Sequence, residues 1–232
     1  MGKIIWKQYF VSLHGKKYDI LIPDMVLENM WMIPRGFRYK HSEGSELLGD
    51  RDAMEWLKNT YLTLALESDK MIYFPFMDNH PVNEKLGIVN KAPQLLFYNH
   101  NIQFNRNEWK DIKQCLKYIK PKQYVVRYYG NEMVEKSKQV MEQWKNSKTF
   151  YRKRKFKEYY EKDTCFFESD WKTALEIGAY MHEQFAKDLD AEAEHDWIEH
   201  CFWMGPMCED KYRDTSFIYV DKKFYKDMYL YN

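Results

Sequence analysis

Apolar runs broken by short polar stretches open the chain. Residues 4–13 and 18–22 are rich in β-formers and flank His14-Gly15-Lys16-Lys17, which predicts an N-terminal hairpin ended by Pro23 and Asp24. Between 24 and 44 the pattern is ambiguous, with Pro34 and Gly36 breaking any long element. Over 45–66 the period becomes helical. Met54, Leu57, Tyr61, Leu64 and Ala65 recur three and four apart, while Arg51, Asp52, Glu55 and Lys58 take the other side.

Short apolar runs at 71–76 and 94–98 predict strands. A helix is expected from Asn107 as N-cap, with Trp109, Ile112, Leu116 and Ile119 on one face and Pro121 as its stop. A strand over 124–129 follows, so strand, helix and strand suggest a βαβ-like or split α+β unit. Gly130 and Asn131 open a helix carrying Met133, Val134, Val140, Met141 and Trp144. Further on come a short strand at 164–167 and a helix over 170–189 with Trp171, Leu175, Gly178 and Phe185 on one stripe. An acidic helix over 191–203 ends at Gly205-Pro206, and a hairpin pairs 216–220 with 224–231 around Asp221-Lys222-Lys223. The expected fold is α+β: a mixed or antiparallel sheet with N- and C-terminal hairpins packed against about four or five helices. No repeat or low-complexity linker interrupts it, so 1–232 reads as a single globular unit. A soft division near residue 146 separates an α+β part from a helical part with the C-terminal hairpin.

Composition narrows the class. Hydrophobic residues make up 45% and charged residues 31% of the 232, a globular rather than a disordered balance. Aromatic residues reach 18%, which favours binding surfaces as well as cores, because such rings combine apolar area with polar tips. No apolar stretch approaches the roughly 20 residues that span a bilayer, and Lys3 and Lys7 interrupt any leader-like core, so no membrane partner is expected. Trp6 occupies the place where a myristoylation motif needs Ser or Thr. Cys115, Cys165, Cys201 and Cys208 form no Cys-x-x-Cys pair, a pattern of reduced thiols that points to a cytoplasmic home.

Net charge is +1, yet its distribution is uneven. Lys145, Lys148, Arg152, Lys153, Arg154, Lys155 and Lys157 precede the first acid, Glu158, with Phe150, Tyr151, Phe156, Tyr159 and Tyr160 interleaved. Cations neutralise phosphates and aromatic rings stack on unpaired bases, so this segment carries the chemistry of nucleic-acid or acidic-partner binding. As a helix it would set Lys148, Arg152, Lys155, Tyr159 and Lys162 on one face and Phe150, Lys153, Phe156 and Tyr160 on another. The bland alternative is a solvated face, or one paired with the chain's own acids at Asp188, Asp190, Glu192, Glu194, Asp196 and Glu199.

Metal chemistry has a weaker footing. His182, His195 and His200, with Glu183, Glu199, Cys201 and Cys208, concentrate donor atoms near the C-terminus. His195 and His200 are five apart, roughly 140° from alignment on a helix, whereas a zincin pair needs a spacing of four. His182 follows Leu175 by seven on an apolar stripe, the setting of a core or boundary histidine. No cofactor is expected. No Gly-x-Ser-x-Gly elbow, Walker loop or dinucleotide fingerprint occurs, which leans away from an enzyme.

Trp31, Trp203, Tyr229 and Tyr231 lie in irregular or terminal stretches and are of the types enriched in protein interfaces. The leading expectation is a non-enzymatic binding protein that engages nucleic acid or a nucleoprotein complex. A regulator or inhibitor of a nucleic-acid-processing machine, of the kind mobile elements carry, fits this description. The alternatives are a metal-dependent hydrolase or nuclease using His182, His195 and His200, and a pure protein-protein module.

Overall fold

The computed structural model describes residues 4–25, 27, 30–33, 45–75, 94–127, 129, 131–146, 156–161, 163–185, 200–203 and 215–219. The hairpin of β1 (Ile5–Leu13) and β2 (Lys16–Pro23) pairs Leu13 with Lys16 across a two-residue turn. His14 and Gly15 both take positive φ, 50° and 77°, the mirror-image turn that matches strand twist. A Cβ at Gly15 would meet nothing within 4 Å, so glycine is used there for its backbone freedom and not for space.

Two sheets follow. The larger has seven strands in the order β7-β1-β2-β5-β6-β9-β8. Its further members are β5 (Lys70–Phe74), β6 (Gln94–Asn99), β7 (Gln123–Val126), β8 (Phe156–Glu161) and β9 (Thr164–Ser169). It is mixed: β2/β5 and β6/β9 run parallel, and the other pairs antiparallel. The smaller sheet has the order β10-β11-β4-β3, from β3 (Met30–Ile33), β4 (Ser45–Gly49), β10 (His200–Trp203) and β11 (Thr215–Tyr219).

Four helices are described: α1 (Arg51–Leu66), α2 (Arg106–Leu116), α3 (Asn131–Lys145) and α4 (Trp171–Phe185). The α+β class, the mixed sheet and the helix number agree with expectation. No described helix is long and apolar enough to cross a membrane.

Helices cover both faces of the large sheet. On one face α1 and α4 pack over Trp6, Leu21, Phe74, Phe97 and Phe167. On the other, α2 sets Trp109 and Ile112 against Ile20, Met71, Leu96 and Phe166. Strands β5 and β6 are therefore buried on both sides, which is why they read as unbroken apolar runs. Met30 and Leu47 join the first core and anchor the small sheet to it. Helices α1 and α4 approach so closely that a Cβ on Gly178 would stand 2.7 Å from Leu62 Cγ.

Several elements differ from the sequence reading. Residues 45–49, expected to be helical, form strand β4 between β3 and β11. The helix starts at Arg51, with Asp50 Oδ1 accepting from Ala53 N at 3.0 Å. The supposed polar side of α1 is partly covered as well: Lys58 is only 3% exposed and is ion-paired with Glu55. Strand, helix and strand across 94–126 do not make a βαβ unit. Both edges of β6 are taken by β5 and β9, so the chain crosses on α2 and adds β7 outside β1. The end of the expected acidic helix, 200–203, is strand β10. Strand β11 has β10 on one edge and β4 on the other; the hairpin partner expected at 224–231 lies outside the described residues.

Candidate nucleic-acid interface

The end of the basic-aromatic segment is a strand, not a helix. Among the described residues β8 pairs only with β9 and forms one edge of the large sheet. Alternation then replaces the helical faces: Lys157 and Tyr159 share one side, and Phe156 turns to the other against Phe167. Pairing to β9 decides this, since a strand already holding Phe166 and Phe167 in the core recruits the segment beside it. Lys157 is 63% exposed, with its Nζ 4.0 Å from Glu168 Oε1, a loose contact that leaves its charge mostly to solvent.

Tyr159 is held more firmly. Its ring stacks on Phe166, and its hydroxyl lies 2.8 Å from that of Tyr98, which in turn donates to Glu168 at 3.1 Å. Burial first, and then the hydrogen bond to Tyr159, push the Tyr98 hydroxyl far above the ordinary tyrosine range, so it stays protonated and donating. Lys157 and Tyr159 line a shallow hollow of about 640 Å³ with Phe104, Asn105, Asn107 and the two glutamates Glu161 and Glu168.

The remaining residues of the expected interface, Lys148, Tyr151, Arg152, Lys153, Arg154 and Lys155, lie outside the described residues, as does the acidic stretch 188–199. Trp31 sits in β3 and Trp203 in β10, the two edge strands of the small sheet, while Tyr229 and Tyr231 lie outside the described residues. His182 is half-buried on α4, and burial, aided by Lys58 and Lys138, lowers its pKa. His200 belongs to strand β10, so the helical angle drawn between it and His195 does not apply; His195 lies outside the described residues. Among the described residues no three His, Cys, Asp or Glu side chains converge as a metal site requires.

A second cationic feature went unread in the sequence. Helix α2 begins at a capping box, in which Asn105 Oδ1 accepts from Glu108 N at 2.9 Å and Glu108 Oε2 accepts from Asn105 N at 2.6 Å. Its apolar face holds Trp109 and Ile112 against the sheet, and this rotation turns Lys110, Lys113 and Lys117 toward a cleft of about 610 Å³. Across the cleft stand Lys7, Tyr9 and Asp24 from the N-terminal hairpin and Tyr73 from β5. Two of the lysines are matched: Lys7 Nζ lies 3.0 Å from Asp24 and Lys113 Nζ 2.5 Å from Asp163. Burial works to raise the Asp163 carboxyl, but hydrogen bonds from Lys113 and Thr164 outweigh it and hold the group below the usual range.

Lys110, Lys117 and Lys120 make no ion pair among the described residues, and Lys122 lies over the Phe10 ring at 5.1 Å. The signal was present in the sequence: 106–122 holds six cations, Arg106, Lys110, Lys113, Lys117, Lys120 and Lys122, against Glu108 and Asp111. Helix α2 and the Lys157 hollow border each other through Asn105 and Asn107, so the two cationic features lie on one side of the sheet. No family model matches this chain, and no curated protein or solved structure matches it either.

Proposed function

We propose that this protein is a non-enzymatic binding protein for nucleic acid, alone or within a nucleoprotein complex, and that it regulates or inhibits a machine acting on that nucleic acid. The observation that carries the reading is the pair Lys110 and Lys117, which have no acidic partner among the described residues and lie on the same side of the sheet as exposed Lys157. Ammonium groups with no acidic partner among the described residues hold a positive potential over that side, although the whole chain carries only +1. A polyanion condensing on them releases counterions, which supplies affinity without sequence preference. The basic run that leads into β8 extends the same chemistry, with Tyr151 as a ring for unpaired bases.

The test is binding of labelled single- and double-stranded nucleic acid across salt. Four or five phosphate contacts predict a loss of about a hundredfold in affinity between 50 and 200 mM salt. Replacing Arg152, Lys153 and Arg154 by Glu, or Lys110, Lys117 and Lys120 by Glu, weakens binding and flattens the salt slope. Affinity and slope untouched by both reversals overturn the assignment.

A further inference from the structure

Resting on that reading, we infer that the cleft beneath α2 receives an unpaired strand of nucleic acid, with its phosphates on Lys110 and Lys117 and its bases inside. Three observations lead there. The cleft measures about 610 Å³, within the range of sites that enclose small ligands and far beyond what a bound ion needs. Its rim is cationic: Lys110 and Lys117 are seven apart on a helix, so they point the same way about 10.5 Å from each other along the axis. Its interior offers the half-buried ring of Tyr9 and the apolar side chains of Ile22 and Leu116.

An extended strand carries charge along one side and rings along the other, and this division of rim and interior matches it. A duplex keeps its bases paired and stacked within. It has phosphates for the lysines but nothing to place in the cleft. The acids present do not oppose this, because Asp24 and Asp163 already face Lys7 and Lys113, and their remaining acceptor capacity suits the amino groups of bases.

The experiment compares a fluorescent ten-nucleotide oligothymidylate and its ribo counterpart with a hairpin duplex. The variant is Gln114→Trp, at an exposed cleft-lining position of α2, which fills the space without changing charge. Both single strands bind it at least tenfold more weakly than the parent protein, while the duplex changes less than twofold. Tyr9→Ser, which removes a ring from the opposite wall, gives the same selective loss and guards against a folding defect in the first variant. The thermal unfolding midpoint is followed for both. Unchanged single-strand affinity in the two folded variants overturns the cleft assignment, yet leaves the broader function standing if the lysine reversals still act. No binding of any probe to the parent protein at low salt overturns both.

Discussion

The Tyr159 ring lies parallel to that of Phe166, 1° between planes and 4.8 Å between centroids, so one of its faces is committed to the protein's own core. An offset stack of this kind contributes about 1 kcal/mol beyond the area it buries. The hydroxyl is also engaged, 2.8 Å from that of Tyr98. Tyr159 thus supports the edge strand that presents Lys157. Tyr159→Phe keeps the stack and costs about 1 kcal/mol for the lost hydrogen bond. Tyr159→Ala loses ring, stack and bond and costs about 2 to 3 kcal/mol, at the low end for a large aromatic because the side chain is only partly buried. Denaturant unfolding at neutral pH measures both. If Tyr159→Ala unfolds like the parent protein but binds nucleic acid poorly, the ring acts on the ligand and not on the fold.

The start of α2 offers a sharper comparison. Asn105 provides the cap, and Asn107 stands two residues further on, exposed in the first turn. An N-cap asparagine replaced by alanine costs about 1 kcal/mol, because a backbone N–H at the helix end loses its acceptor. Asn105→Ala therefore lowers the unfolding free energy by about that amount, while the reciprocal bond from the backbone N–H of residue 105 to Glu108 Oε2 survives the change. Asn107→Ala at a helical position is neutral or slightly stabilising, as alanine is the better helix former. The reverse order of the two effects in urea titrations would restore Asn107 as the cap.

Where local pattern and tertiary demand agree, the fold was legible. The apolar runs at Met71–Phe74 and Leu95–Tyr98 need no partner to be recognised as strands, since strands buried on both faces look alike in any sheet. The misread stretches share another property. Ser-Glu-Leu-Leu-Gly at 45–49 is extended because Met30–Ile33 and, some 170 residues later, Thr215–Tyr219 pair with its two edges. His200–Trp203 and Phe156–Glu161 owe their conformation to neighbouring strands in the same way. A strand whose conformation is set by its pairing partner need carry no periodicity of its own. The cations of α2 were visible but diluted, spread across 17 residues instead of packed into the dense run at 145–157. Their convergence on one cleft depends on how Trp109 and Ile112 turn the helix, and only packing determines that.

His182 provides a pH test of how α1, α3 and α4 meet. It lies half-buried on α4, facing the Glu55–Lys58 pair of α1 and the Glu135–Lys138 pair of α3. Burial disfavours its charged form most, Lys58 and Lys138 disfavour it further, and Glu55 and Glu135 only partly compensate, so its pKa falls below the ordinary histidine value of 6.5. The sign follows from linkage: below about pH 6.5 the unfolded chain takes up this proton more readily than the folded one. The stabilisation from a neutral His182 is thus complete above that pH. It drains away as the pH falls toward the depressed folded value. Urea midpoints measured from pH 7.5 to 5.0, above the range where most carboxylates titrate, decline in the parent protein and stay flatter in His182→Gln. An equal decline in the variant would assign the titration to other groups and remove His182 from the account of acid sensitivity.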